Sequence, residues 1–239
     1  MLLLAVRSAH NLTEVVDQIP LDKNLVRCHY VPWLLSKATM STPIERAKAV
    51  FESSSSLVRT REAIQAGIHS RTLYEMRDAG LIEQTSRGLF RLVGLPPLAN
   101  PDLALVAKRV PSAVVCLISA LAFHELTTQI PHTVQIALRP GSWPPKIEHP
   151  PIEVFSFSLQ SLSCGVEEHA IDGVTVRIFS REKTLADIFK FRNRIGIETA
   201  TEALRNYAHS KRRRFDKVLD FARTCRVEKV MRPYLEAVA

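Results

Sequence analysis

Apolar positions recur at helical spacing from Thr42 onward: Ile44, Ala47, Val50 and Phe51 predict one buried stripe reaching about Glu52. Thr42 is suited to cap that helix, Pro43 to its first position and Glu45 to a capping box. The run Ser53–Ser56 interrupts the pattern, and a second helix is expected from about Thr60 to Ala66, stopped at Gly67. Ser70 is expected to cap a third, with Leu73, Tyr74 and Met76 inside it and Gly80 at its end. The pattern then turns strand-like. Leu81–Thr85 and Leu89–Val93 flank the turn Ser86-Arg87-Gly88, which predicts a hairpin. Three helices, a tight glycine turn between the second and third, and a closing hairpin define a winged helix-turn-helix.

Past Gly94-Leu95-Pro96-Pro97 the punctuation is that of a linker, and helix and strand patterns then alternate. Helices are predicted over Pro101–Val110 and over Ser112–Leu126, the latter apolar on most faces and so buried. Val134–Leu138, Ile152–Phe157 and Val174–Phe179 read as strands, while Pro140, Pro144, Pro145, Pro150 and Pro151 forbid regular structure between the first two. Helical patterns follow over Ser180 to about Arg194, Glu198 to about His209, Phe215–Ala222 and Glu228 to the end. The expected fold class is α+β: a winged helix-turn-helix over residues 40–95, then, over 96–239, an α/β domain with a short mixed sheet and C-terminal helices. Residues 1–39 share none of this patterning. Because a capped helix begins just after Met40, that methionine is a candidate native initiator. The competing reading is an N-terminal arm that packs or binds DNA.

Charge sharpens the picture. Thirty-two Lys+Arg against 24 Asp+Glu give a net +8 over 239 residues, which makes a polyanion the first partner to consider. Cys28, Cys116, Cys164 and Cys225 stand far apart with no CxxC pair, so neither a structural zinc site nor a disulfide framework is expected. The apolar stretch Ala113–Phe123 falls short of the roughly 20 residues a bilayer requires. The opening Met1–Val6 lacks the basic region of a signal peptide, and the expectation is a cytoplasmic chain with no membrane partner.

A recognition helix presents its N-terminal residues to base edges in the major groove. Here those are His69, Ser70, Arg71 and Thr72, with Glu75 a turn later. Arg71 suits a guanine edge, Glu75 a cytosine amine, and Ser70 and Thr72 phosphate or base. Arg87 at the hairpin tip is placed for phosphate or the minor groove, and Arg91 for the adjacent backbone. Lys211-Arg212-Arg213-Arg214 form a basic run suited to further backbone contacts, or to a solvated linker between helices. A metal-dependent nuclease would need clustered carboxylates. Glu153, Glu167, Glu168, Asp172, Glu182 and Asp187 do not fall into such an arrangement, and Glu182 and Asp187 read as acids at a helix start. His124, His132, His149 and His169 lack paired metal spacing. No catalytic residue, metal or cofactor is expected. A regulator whose second domain binds a metabolite stays open as an alternative.

The order of motifs resembles the AbiEi family of antitoxins, transcriptional regulators of bacterial type IV toxin–antitoxin and abortive-infection systems. The resemblance covers about residues 42–239. It rests on Gly67-Ile68, Leu73-Tyr74, Gly80-Leu81-Ile82 and Arg87–Leu92, and more specifically on Ser119–Thr127 with Ile130-Pro131 and Val134–Ala137. Arg181–Asp187, Phe191–Gly196, Ala203–Arg205, Cys225–Val227 and Arg232–Glu236 extend it. It implies an autorepressor that recognises inverted repeats of double-stranded DNA in its own promoter. It also implies a nucleotidyltransferase-like toxin, counteracted without a required stable complex.

Overall fold

The computed structural model describes residues 42–53 and 57–238, which fall within one compact unit. The expected boundary at Met40, the segment 1–39 and most of the serine run lie outside the described residues.

The described residues begin with α1 (Pro43–Ser53), β1 (Val58–Arg59), α2 (Thr60–Gln65) and α3 (Ser70–Asp78), followed by β2 (Ile82–Ser86) and β3 (Leu89–Leu92). The capping box of α1 forms as expected: Thr42 N–H donates to the Glu45 carboxylate at 2.7 Å, and Glu45 N–H to Thr42 Oγ1 at 3.2 Å. Helices α2 and α3 stop by the same device. Gly67 (φ +85°) and Gly80 (φ +70°) adopt the left-handed conformation that closes a Schellman turn, with Ile68 N–H reaching Ala63 O and Leu81 N–H reaching Met76 O, each at 2.9 Å. The N-cap of α3 is His69, not Ser70: its Nδ1 accepts from Arg71 N–H at 3.2 Å, which makes Ser70 the first helical residue. Strand β1, unseen in the sequence, pairs antiparallel with β3, so the hairpin becomes a three-stranded sheet in the order β1-β3-β2. Ala47, Phe51, Leu73, Met76, Ile82 and Phe90 form its core.

The second part comprises α4 (Pro101–Arg109), β4 (Val114–Val115), α5 (Leu117–Phe123), β5 (Val134–Leu138), β6 (Ile152–Ser156), α6 (Leu159–Ser163), β7 (Val166–Ile171) and β8 (Val174–Phe179). It closes with α7 (Arg181–Lys190), α8 (Arg192–Ile195), α9 (Ile197–His209), α10 (Phe215–Thr224) and α11 (Glu228–Val238). Its sheet runs β6-β5-β4-β8-β7 and is mixed: β6 with β5 and β4 with β8 are parallel, the other neighbours antiparallel. Alternation sorts the side chains between two cores. Val114, Ala137 and Phe179 face the layer of α5, α7, α9, α10 and α11, while Val115, Ile136, Leu138 and Ile178 face α4. The described residues form a mixed α+β fold with two sheets.

The helix expected over Ser112–Leu126 is corrected here. Its first third is the central strand β4, and the chain turns into α5 through Leu117 at φ +50°. Ala113–Leu117 are buried throughout, so the segment carries no period that separates strand from helix. Gln135, buried in the middle of β5, secures that turn: its Oε1 accepts from Ile118 N–H and its Nε2 donates to Glu153, both at 2.8 Å. The helix expected over Ser180–Arg194 is likewise broken, into α7 and α8.

Asp187 sits in the second turn of α7, one turn beyond Lys183, and not at its start. Lys183 and Asp187 are both fully buried, their charged groups 2.5 Å apart, with Ser161 Oγ 3.2 Å from the ammonium and Cys225 Sγ 3.4 Å from the carboxylate. The ammonium also lies 4.4 Å from the Phe179 ring centroid. Burial raises the Asp187 carboxyl above its ordinary range, against the pull of Lys183, and pushes the Cys225 thiol up to about 11.

Candidate nucleic-acid interface

Helix α3 lays Thr72, Leu73 and Met76 inward and leaves Arg71, Tyr74, Glu75, Arg77 and Asp78 outward. The Arg71 side chain is 83% exposed and donates through Nε to Glu75 at 2.9 Å, so the guanidinium is steered along the outer face while its other donors stay available. Tyr74 is half-exposed, with the Arg77 guanidinium 5.0 Å from its ring centroid. Neither Tyr74 nor Arg77 was expected on this face; the signal was their i,i+3 spacing from each other and Tyr74's from Arg71. At the start of α3, exposed His69 joins Arg46 of α1, Gly67, Ile68 and Thr72 around a surface depression of about 390 Å³.

Two expected contacts are corrected. Thr72 is only 9% exposed, because it shares the inward face with Leu73 and Met76, and it is not presented to a base edge. Arg91 is committed within the protein: its side chain, 12% exposed, pairs with Glu83 at 3.1 Å and donates to the carbonyl oxygens of Leu95 and Pro96. It holds the linker against the hairpin and does not face outward.

Arg87 is exposed at the β2–β3 turn, and the turn itself is held from two sides. Gly88 O accepts from Thr60 N–H at 3.0 Å, at the start of α2. From the second part of the chain, Arg109 at the end of α4 donates to Arg87 O and, at 3.0 Å, to Ser86 Oγ. Its neighbour Lys108 pairs with Glu62 of α2 at 2.9 Å. Glu62 is held below the ordinary carboxylate range: burial opposes this, but the Arg59 N–H and the Lys108 ammonium prevail. We expect Arg109→Ala to speed hydrogen exchange at residues 86–88 while amides in the β5 centre keep their protection, read by amide exchange mass spectrometry. Unchanged exchange at the turn would show that Arg109 does not hold it.

Lys211–Arg214 lie between α9 and α10, exposed, and line a groove with residues of α5, β7 and α7. Of the acids weighed for metal chemistry, all but Glu168 have partners within the protein. Glu153 pairs with Arg194 at 2.5 Å, Glu182 accepts from Tyr207 Oη at 2.8 Å, and the Asp172 carboxylate accepts from Ala99 and Asn100 N–H at 2.9 and 3.1 Å. Among the described residues no group of three or more His, Cys, Asp or Glu is placed to hold a metal ion. No helix among them is long and apolar enough to cross a membrane.

The first part thus presents an outward-facing helix with an exposed Arg71 and a braced hairpin turn carrying an exposed Arg87. Over residues 45–93 the chain matches the family of AbiEi antitoxins, described as transcriptional regulators. No curated protein matches the chain in sequence. Among solved structures, that of the RV2827C protein from Mycobacterium tuberculosis is similar over 81% of this chain and 80% of that one, at 12% identity and a TM-score of 0.48.

Proposed function

We propose that the chain is a DNA-binding autorepressor and the antitoxin of a type IV toxin–antitoxin system, opposing a nucleotidyltransferase-like toxin without a required stable complex. In this reading residues 40–95 are a winged helix-turn-helix, with α3 as recognition helix and the β2–β3 hairpin as wing, and residues 96–239 form the antitoxin domain. The observation that carries it is the outward face of α3: Arg71 is almost fully exposed and held in a defined direction by Glu75, beside an exposed Arg87 whose backbone is fixed from two sides. His69, Ser70, Arg71 and Glu75 take the base-edge positions, and Arg87 takes phosphate or the minor groove.

The test is the affinity of residues 40–239 for the DNA upstream of their own gene, against random duplex, at two salt concentrations. A preference of about 10³-fold or more is expected of a sequence-specific repressor. Equal and steeply salt-dependent affinities would leave a basic surface without a code, and the regulatory reading would fail. Arg87→Ala is expected to weaken binding to both duplexes alike and to flatten the salt slope by about one unit, as loss of one phosphate contact requires.

A further inference from the structure

The groove beside Lys211–Arg214 has a volume of about 700 Å³, within the range of small-molecule sites. The groove is rich in cations. Arg181 and Lys211, Arg212, Arg213 and Arg214 line it, and among the described residues none of the five side chains has an ion pair or hydrogen bond. Arginines 71, 77, 194, 223 and 232, by contrast, each pair with a carboxylate. The segment is fixed by its backbone and not by its charges: Arg214 N–H donates to Tyr207 Oη at 2.7 Å, and that hydroxyl donates to Glu182. Burial raises the Tyr207 hydroxyl above its ordinary range and keeps it protonated as this bridge.

The same lining carries three rings, those of Phe123, His124 and His169. The Phe123 ring lies edge-on to His124 and His169, with centroids 5.3 and 4.9 Å away. His124 is nearly buried, and burial lowers its pKa, so the imidazole is neutral near pH 7. Its Nε2 donates to Phe179 O at 2.7 Å, which leaves Nδ1 an acceptor. Glu167, which lies 3.2 Å from His169 Nε2, and Glu182, which holds the Tyr207 hydroxyl, add two carboxylates whose remaining oxygens accept from hydroxyl or amine groups and repel a bare phosphate. Cations, flat rings and carboxylate acceptors in one lining match a ligand with three unlike parts.

We propose that this groove binds a nucleoside polyphosphate: phosphates on Lys211–Arg214 and Arg181, the base against Phe123 and His169, and ribose hydroxyls on the carboxylates. A duplex would offer the groove only phosphate, leaving the rings and the acceptors unused. The site is separate from the DNA-reading surface and does not depend on that assignment.

The test is calorimetric titration of the full chain with adenosine triphosphate and guanosine triphosphate, with inorganic triphosphate and a random duplex as competitors. Saturable binding of at least one nucleotide is expected. Lys211→Ala with Arg213→Ala, both on exposed residues, is expected to weaken it by about tenfold or more, the scale of a lost charged contact. Phe123→Leu is expected to weaken nucleotide but not inorganic triphosphate, and Arg71→Ala to leave nucleotide affinity unchanged. The proposal is overturned by the absence of saturable binding at millimolar nucleotide. Inorganic triphosphate binding as tightly as nucleotide would also overturn it, as would a double variant that loses only duplex binding, which would make the segment a nucleic-acid contact.

Discussion

Lys183→Ala lowers the unfolding free energy by about 3–5 kcal/mol, the cost of leaving one member of a buried ion pair without its partner. Asp187 would then be a carboxylate with no access to water, retaining only hydrogen-bonding neighbours such as the Cys225 thiol, in a core built from Phe157, Phe179 and Phe189. The loss should depend on pH in a definite direction. Burial already raises the Asp187 carboxyl above its unfolded value, and removing the ammonium raises it further. A carboxyl that binds its proton more tightly when folded makes the protein less stable as pH rises through its folded pKa. The deficit is therefore largest at neutral pH and shrinks on acidification. Replacing the pair together, Lys183→Met with Asp187→Leu, should restore most of the loss, since an apolar pair needs no compensation. Urea denaturation at two pH values measures the unsubstituted protein and both variants. A single-variant loss under about 1 kcal/mol would mean that water reaches the pair after all.

The second large effect concerns recognition. Arg71→Ala is expected to cost about 1–3 kcal/mol on the specific site and to relax selectivity at one base pair, as loss of a bidentate guanine contact does. The free protein prepares this contact: Glu75 takes the Nε hydrogen and leaves the terminal amino groups of the fork for the base edge. Binding isotherms on the native site and on random duplex separate the possibilities. Equal losses on both would make Arg71 a phosphate contact and remove it as a base reader.

How much of this was legible in the sequence differs by element. The start of α1 was readable from Thr42, Pro43 and Glu45 because a capping box is local, and the ends of α2 and α3 from Gly67 and Gly80 for the same reason. Strand β4 was not, because Ala113–Cys116 is apolar on both faces and only pairing with β5 and β8 makes it a strand. Thr72 could have been placed correctly, since positions 72, 73 and 76 share one helical face. Arg91 could not: two of its three partners are backbone carbonyls of the linker, which have no signature in sequence. Arg109 was overlooked because a basic residue in the last turn of a helix already suits the dipole, and nothing local shows that it reaches a turn 22 residues earlier. The basic run 211–214 was legible as charge, whereas the rings that share its groove come from residues 40 to 90 positions away and needed the fold.

Helix α4 begins where the β7–β8 turn grips it, through Asp172, and ends where Lys108 and Arg109 grip α2 and the hairpin. Leu57 and Leu89 of the first part complete the core on the same face of the large sheet. The first part of the described chain is thus not a detachable cassette. Excised alone, it would leave two leucines without their cover and its hairpin without Arg109. Grafted onto another protein's second half, it would keep Arg71 and Arg87 but lose the bracing of its hairpin turn. Residues on the two sides of the linker must therefore change in concert, and a hybrid built at Gly94–Pro97 needs α4 carried across the junction with the hairpin it supports.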